Sequence, residues 1–410
     1  MKFILTRILL FILAVFASNV SLAQPGMDPQ DMQIYRLADQ IKENPNDSSL
    51  LYQYAMTTKS STLLFNLVSL DKKYNGNIYF QLAENHWNAR KYDEVSPYLD
   101  SAFAHGHVNL EWYNLKSNLL KEQKSNQQKK FLDECMTLFP REASFKYDKA
   151  FLLLSEDSLA KADSTFRESL LYTRETVLFP ITYWVEAIYK KDEKLAKEWI
   201  DQMNVSVRSM SDVSNAHFYS GYYYYSYFKD YATAATYFDL WVDDTGFDAT
   251  AIDYQKINGG NNRCFYYRGV AQYQIGKYQE AYDALFYAFM WSIEPMHFEE
   301  SVLFKELVKD NPRDERLEYL EVVHELNCWY TSKEVRNGLI KKGIKTIENE
   351  ITLHPKGTPQ HDYAKYYLAF AYHVLGENDD AKKAFDEAEK GQYRPHFRYT
   401  LRGKIFEGRG

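Results

Sequence analysis

The apolar positions of YYLAFAYHVLGENDDAKKAFDEAEK (366–390) fall at helical spacing twice. Leu368, Ala369 and Tyr372 share one face of a first predicted helix, and Gly376 with Asn378 and Asp379 marks a turn. Ala381, Phe385 and Ala388 then share one face of a second helix, at i, i+4 and i+7. The same alternation of small and large apolar residues recurs upstream. It is seen at Gly269, Gly276, Tyr278, Ala281, Leu285 and Ala288, and at Tyr79, Leu82, Ala83, Tyr92, Val95, Leu99 and Ala102. Further copies run through Trp112, Leu115, Leu119 and Leu132, through Ala150, Leu153, Ala162 and Phe166, and through Phe218, Tyr225, Tyr231, Ala234 and Phe238. The small position of the second helix falls at Ser61, Val95, Gln128, Ala162, Ala196, Ala234 and Ala281, in steps of 34, 33, 34, 34, 38 and 47. Small side chains let paired helices approach, and large ones fill the grooves between them. One such pair cannot bury its apolar face alone, so stacking is required.

A period of about 34 residues with this pattern of sizes resembles the tetratricopeptide repeat. Lys365 stands where that repeat carries its leading tryptophan, and Trp184 stands where a small residue is expected. The resemblance implies an all-α fold, an α-solenoid (superhelix) of helix–turn–helix tetratricopeptide repeats. The expected organisation is an export signal at 1–23, a capping helix at 24–46 and a repeat array at 47–294. Divergent helical repeats follow at 295–357, with helices near 296–309, 313–330 and 333–353, then a last repeat at 358–391. The tail at 392–410 is basic and aromatic, either a short cap helix or loose. The step from Ala234 to Ala281 exceeds the period because of an insertion at 243–262, punctuated by Gly246, Gly259 and Gly260. Insertions in repeats map to loops.

Residues 221–238, GYYYYSYFKDYATAATYF, concentrate the most rings. In the repeat register Phe218, Tyr222 and Tyr225 pack between helices. Tyr219, Tyr223 and Tyr227 fall on the other face at i, i+4 and i+8, which the resemblance assigns to the concave groove. The small position holds Tyr222 with Gly221 one place earlier, so a register slipped by one residue stays open. Rings stand at the position equivalent to Tyr219 in other repeats: Phe80, Tyr113, Tyr147, Tyr266 and Tyr366. Phe151, Tyr223 and Phe370 follow one turn on, and Trp87, Tyr227 and Tyr273 extend the lining. Two readings follow. The rings form a groove for an extended peptide or a glycan, since aromatic side chains offer large contact area at low entropy cost. Alternatively they pack on the next repeat.

Charge and chemistry narrow the function. The formal net charge is −7 with acids and bases interspersed, which argues against nucleic acid as a partner. Lys2, Arg7, the apolar run 8–16 and Ser21-Leu22-Ala23 form the pattern of a cleaved export signal, with an uncleaved anchor as the alternative. No cysteine follows that run, so no lipoprotein is expected, and no later segment is long and apolar enough to span a bilayer. The three cysteines, Cys135, Cys264 and Cys328, read as small buried hydrophobes and not as a disulfide framework. Gly-rich phosphate loops, HExxH, GxSxG and CxxC are all missing from the sequence. His105-Gly106-His107, with His86, is the nearest approach to a metal pair and reads as a solvated loop. Asp243-Asp244 and Asp379-Asp380 read as acids at turns or helix starts. No catalytic residue, metal or cofactor is expected. Members of the resembled family that grip a peptide carboxylate use Lys and Asn in the groove, positions that are aromatic here. The expectation is a non-enzymatic scaffold or adaptor of the bacterial cell envelope, periplasmic or extracellular, binding a protein or peptide. A glycan- or envelope-polymer-binding module is the alternative.

Overall fold

The turn between paired helices is what the chain repeats most faithfully. In the computed structural model, Lys59, Arg90, Lys124, Asp157 and Lys229 all take left-handed backbone with φ from 47° to 58°. Gly276 and Gly376 take the same position with φ near 80°. Each lies just past the end of the first helix of a pair. The amide of the following residue reaches back five positions, as Lys91 N to His86 O (2.9 Å), Ser125 N to Leu120 O (2.9 Å) and Glu377 N to Tyr372 O (2.9 Å). This left-handed cap satisfies carbonyls at the helix end and folds the second helix back along the first. The model describes residues 28–407 apart from 69–71, 175, 208, 246–260, 291–297, 333–336 and 396. The export signal expected at 1–23 and most of the insertion expected at 243–262 lie outside the described residues.

Every regular element among the described residues is helical, and adjacent helices pack in pairs. The chain divides into two compact units, 1–175 and 176–410. The first holds α1 (Pro29–Glu43), α2 (Ser48–Thr58), α3 (Ser61–Val68), α4 (Asn75–Asn88), α5 (Tyr92–Ala104) and α6 (Leu110–Glu122). It continues through α7 (Gln128–Leu138), α8 (Ala143–Ser155) and α9 (Leu159–Leu170). Helix starts are capped where the sequence offers an acceptor. Asp47 accepts from the amides of Ser49 and Leu50, and Asn109 accepts from that of Trp112. The small positions Val95 and Ala162 are fully buried, Gln128 nearly so, and Ser61 half-buried.

The second unit opens with α10 (Leu178–Ile188), α11 (Glu193–Ser206), α12 (Met210–Tyr223), a π-helical turn (Tyr224–Phe228), α13 (Tyr231–Thr245), α14 (Asn261–Gln274) and α15 (Tyr278–Met290). Ala196, Ala234 and Ala281 are fully buried at their small positions. A Cβ on Gly221 would stand 2.7 Å from the Phe238 ring. One on Gly269 would stand 2.6 Å from Leu285 Cγ and 3.0 Å from Ala281 O. Gly221, not Tyr222, is therefore the residue that lets α12 close on α13, and the slipped register is the one adopted. Trp184 is fully buried where a small residue was expected. Past α15 come α16 (Phe298–Asp310), α17 (Glu315–Ser332) and α18 (Asn337–Leu353), where Gly343 meets Val322. The last pair is α19 (Pro359–Val374) and α20 (Asn378–Ala388).

The tail forms α21 (Arg398–Glu407) and seals the last pair. Phe397 packs beside Tyr367 and Phe370, and Leu401 and Ile405 are buried. Arg398 pairs with both carboxylate oxygens of Glu389. The turn before α21 is held by Asp362, a buried carboxylate that accepts from the amides of Gln392 (2.8 Å) and Tyr393 (3.0 Å). A Cβ on Gly391 would collide with that carboxylate.

One charge expectation is corrected here. Asp243 and Asp244 lie in the last turn of α13, the end that disfavours acids, and not at a helix start. Asp244 gains a partner instead, with its Oδ2 2.6 Å from His217 Nδ1. Asp379 and Asp380 do occupy the first turn of α20.

Candidate interaction surface

The tyrosine run occupies a helix with neighbours on several sides, and each ring turns to a different one. Tyr223 faces α10. Its hydroxyl donates to Thr182 O and lies 3.2 Å from Glu186 Oε1. Tyr224 stacks on Tyr237 of α13 at 5.7 Å. Tyr225 lies against Tyr231 (5.4 Å) and Tyr267 of α14 (5.5 Å). Tyr222 meets the edge of Tyr267 at 5.3 Å. The π-helical turn spreads these rings, because an inserted residue shifts every later side chain around the axis. Burial pushes the Tyr224 hydroxyl up to about 12, and it raises those of Tyr223, Tyr225 and Tyr227 further. All four are neutral donors at ordinary pH.

The expected exposure of Tyr223 is corrected: it is fully buried. Tyr219, Tyr223, Tyr227 and Tyr189 form one stacked column, with steps of 6.3, 5.3 and 3.9 Å. The column is the seam between α12 and α10, so the middle ring has no open face. Tyr219 and Tyr227 are half-buried at its edges. Tyr225 and Phe238 are buried as expected, whereas Phe218 and Tyr222, expected between helices, are half-buried.

Six other candidate rings are also buried. Phe80 stacks on His107 at 4.6 Å, and Tyr113 sits between Phe131 and Phe139. Tyr266 packs against Tyr267 and Phe289. The Tyr273 hydroxyl donates to Asp314 (2.8 Å), and that of Tyr366 donates to Glu389 (2.7 Å). Phe370 lies under Phe397. These are packing positions, filled because a neighbouring helix covers them. Trp87, Tyr147 and Phe151 in the first unit keep partial exposure, with Tyr147 and Phe151 4.7 Å apart.

Two rings outside the expected groove set lie open next to the tyrosine column. Phe179 and Tyr183 are 48% and 57% exposed, one turn apart on α10, and Glu186 is exposed on the next turn. Tyr219 adjoins them. Its hydroxyl pKa is raised first by burial, then by Tyr183 and Glu186, against a lowering from Arg263. The spacing 179, 183, 186 was readable as a helical stripe. Pro180 and Trp184 broke the repeat pattern around it. The result in the second unit is a face of rings and hydroxyls with a carboxylate among them, able to stack on flat apolar groups and to bond backbone amides.

The densest titratable cluster lies elsewhere in that unit. Asp314 accepts from Tyr273 and Tyr282, and Arg316 bridges Gln279 (2.9 Å) and Glu350 (3.3 Å). His354 Nε2 lies 2.8 Å from Glu350 Oε1. The recess over them, lined also by Tyr319, Leu320 and Gln360, has no interior space for a water molecule. It is a closed joint between α15, α17 and α18, in which Arg316 Nε and the Tyr319 hydroxyl are buried without a hydrogen-bond partner. In the first unit two histidines bond locally through Nδ1, while His107 Nε2 is buried without a partner. His105 Nδ1 lies 2.8 Å from Ser101 O, and His107 Nδ1 lies 2.7 Å from Asn77 Oδ1. Among the described residues no three His, Cys, Asp or Glu side chains converge to hold a metal. Cys135 and Cys264 are free and buried, and burial pushes the Cys135 thiol up to about 12. No described helix is long and apolar enough to cross a membrane.

No family model matches the chain, and no curated protein matches it. Solved structures do. The P58(IPK) TPR domain is 10% identical over 81% of this chain and 97% of its own, with a TM-score of 0.23. Naa15/Naa10 bound to HypK-THB gives 11%, 98%, 67% and 0.37. An IFIT1 monomeric mutant with m7Gppp-AAAA gives 12%, 84%, 80% and 0.31. Likeness of this degree carries no functional argument, and the fold stands on the helices and turns themselves.

Proposed function

We propose that the protein is a non-enzymatic interaction scaffold that binds a protein or peptide segment on the ring-bearing face of its second unit. The observation that carries this reading is the pair Phe179 and Tyr183, large rings left open one turn apart on α10, with the half-buried Tyr219 near Tyr183. Contiguous exposed rings rimmed by polar groups mark binding surfaces. Tyr227 borders the same seam, and Trp87, Tyr147 and Phe151 are the corresponding candidates in the first unit. Export through residues 1–23 and work in a bacterial-type envelope belong to the same proposal, on the signal pattern alone.

Hydroxyl donors and flat rings also suit sugars, so a glycan is the second reading. The mature chain is applied to a peptide array and a glycan array, beside its Phe179→Ser and Tyr183→Ser variants. Peptide binding that both variants weaken, with unchanged melting, is the expected result. Glycan binding alone sinks the peptide reading. Peptide binding indifferent to both substitutions removes this face from the account.

A further inference from the structure

Helix α21 seals the last repeat with one face and leaves the other open. Leu401 and Ile405 point inward and are buried. Tyr399, Arg402 and Phe406, at i, i+3 and i+7, form a single stripe, with Tyr399 73% exposed, Arg402 exposed, and Phe406 44% exposed at its rim, where it also meets the edge of Phe385 at 5.6 Å. The surrounding segment is the most basic in the chain. Residues 390–410 carry Lys390, Arg394, Arg398, Arg402, Lys404 and Arg409 against the lone acid Glu407, in a protein of formal net charge −7. Arg398 is turned inward onto Glu389. Arg394, just before the helix, is exposed. Lys365 and Lys383 of the same last pair lie close enough to Glu387 to lower its pKa, after the larger effect of Lys390.

We propose that this outward stripe of α21 docks on an anionic lipid surface. The fit is one of charge and of shape. Aromatic rings with one polar edge settle at headgroup depth. A guanidinium set between them meets phosphates in the geometry it prefers. The stripe lies on a helix already held in place by Phe397, Leu401, Ile405 and Arg398, so binding requires no folding step. The protein would then sit on the membrane by its last helix, with the surface of α10 and α12 serving a separate purpose.

Flotation of the mature chain with vesicles decides the matter. Vesicles containing phosphatidylglycerol should carry the protein, pure phosphatidylcholine vesicles should not, and added salt should release it. Arg402→Gln should lower partitioning roughly fivefold, the effect of one basic residue near an anionic surface. Tyr399→Ser should lower it further, with helicity and melting unchanged in both variants because the side chains point outward. Tyr183→Ser should leave vesicle binding intact, which separates this proposal from the one above. Equal binding to both lipids, no binding to phosphatidylglycerol, or indifference to Arg402→Gln overturns it. So does binding to polyglutamate without binding to vesicles.

Discussion

The two units build the same helix pair, and each adds to it a seam that the other does not repeat. In the first, lysines reach from one helix to its neighbour. Lys116 pairs with Asp100 (3.3 Å), and 33 residues later Lys149 pairs with Asp133 (2.7 Å). Lys121 to Asp148 and Lys129 to Glu156 add further ties. In the second, ion pairs such as Arg268 with Asp239 (2.6 Å) recur, and around α12 a run of rings is added: Tyr189 on Tyr227, Tyr223 between Tyr219 and Tyr227, and Tyr222 and Tyr225 on Tyr267. The helix pair thus forms with either kind of seam, and it also accommodates Gln128 and Trp184 where small residues were expected. The seam sets something else. A lysine spans a gap and keeps its head near water, whereas a ring must be covered to stabilise, so its exposed neighbours become available for binding.

Truncating a seam ring should do the most damage. Tyr223→Ala should cost about 3–5 kcal/mol, as large-to-small aromatic changes in a core do. Chemical denaturation of the two units, followed by proteolysis or hydrogen exchange, should place the loss in the second. Gly221→Ala tests the same seam from the other side and should cost about 1–3 kcal/mol, because its Cβ meets Phe238. The counterpart in the first unit is milder. Lys149→Met should cost about 1 kcal/mol or less, since Asp133 is exposed enough to remain solvated alone. High salt should shrink that difference and leave the Tyr223 effect unchanged.

Alkaline pH should separate the units as well. A tyrosine held neutral by burial has a folded pKa above its unfolded value, near 10. The stability it contributes is present below pH 10 and is lost as pH rises through the folded value, about 12 for Tyr224. The second unit carries Tyr223, Tyr225, Tyr227, Tyr273 and Tyr282 raised in the same direction. In the first, Tyr54, Tyr98 and Tyr113 are raised by burial. Hydrogen exchange followed from pH 9 upward should show the second unit opening first. The smallest expected effect is at a turn. Arg90→Gly relieves a left-handed residue with a side chain and should stabilise the first unit by roughly 0.5–1 kcal/mol.

The small positions were legible because they are local and repeated. Val95, Ala162, Ala196, Ala234 and Ala281 each sit at a helix contact, and only a small residue serves there. The rings were not legible in the same way. Whether Tyr223 is open depends on what the preceding repeat places opposite it, here Thr182 and Glu186, far away in sequence. Phe179 and Tyr183 stayed hidden for a related reason: Trp184 and Pro180 disturbed the repeat pattern around them. Gly221 lay in plain view. Choosing between it and Tyr222 required the partner ring of Phe238.

Residue-resolved hydroxyl-radical footprinting of the tyrosines tests the division between seam and surface most directly. Tyr183 and Tyr399 should react quickly, while Tyr223, Tyr225, Tyr266 and Tyr366 are protected. Bound peptide should then protect Tyr183 and leave Tyr399 reactive. Rapid modification of Tyr223 in the folded chain, with Tyr183 protected before any partner is added, would contradict the account.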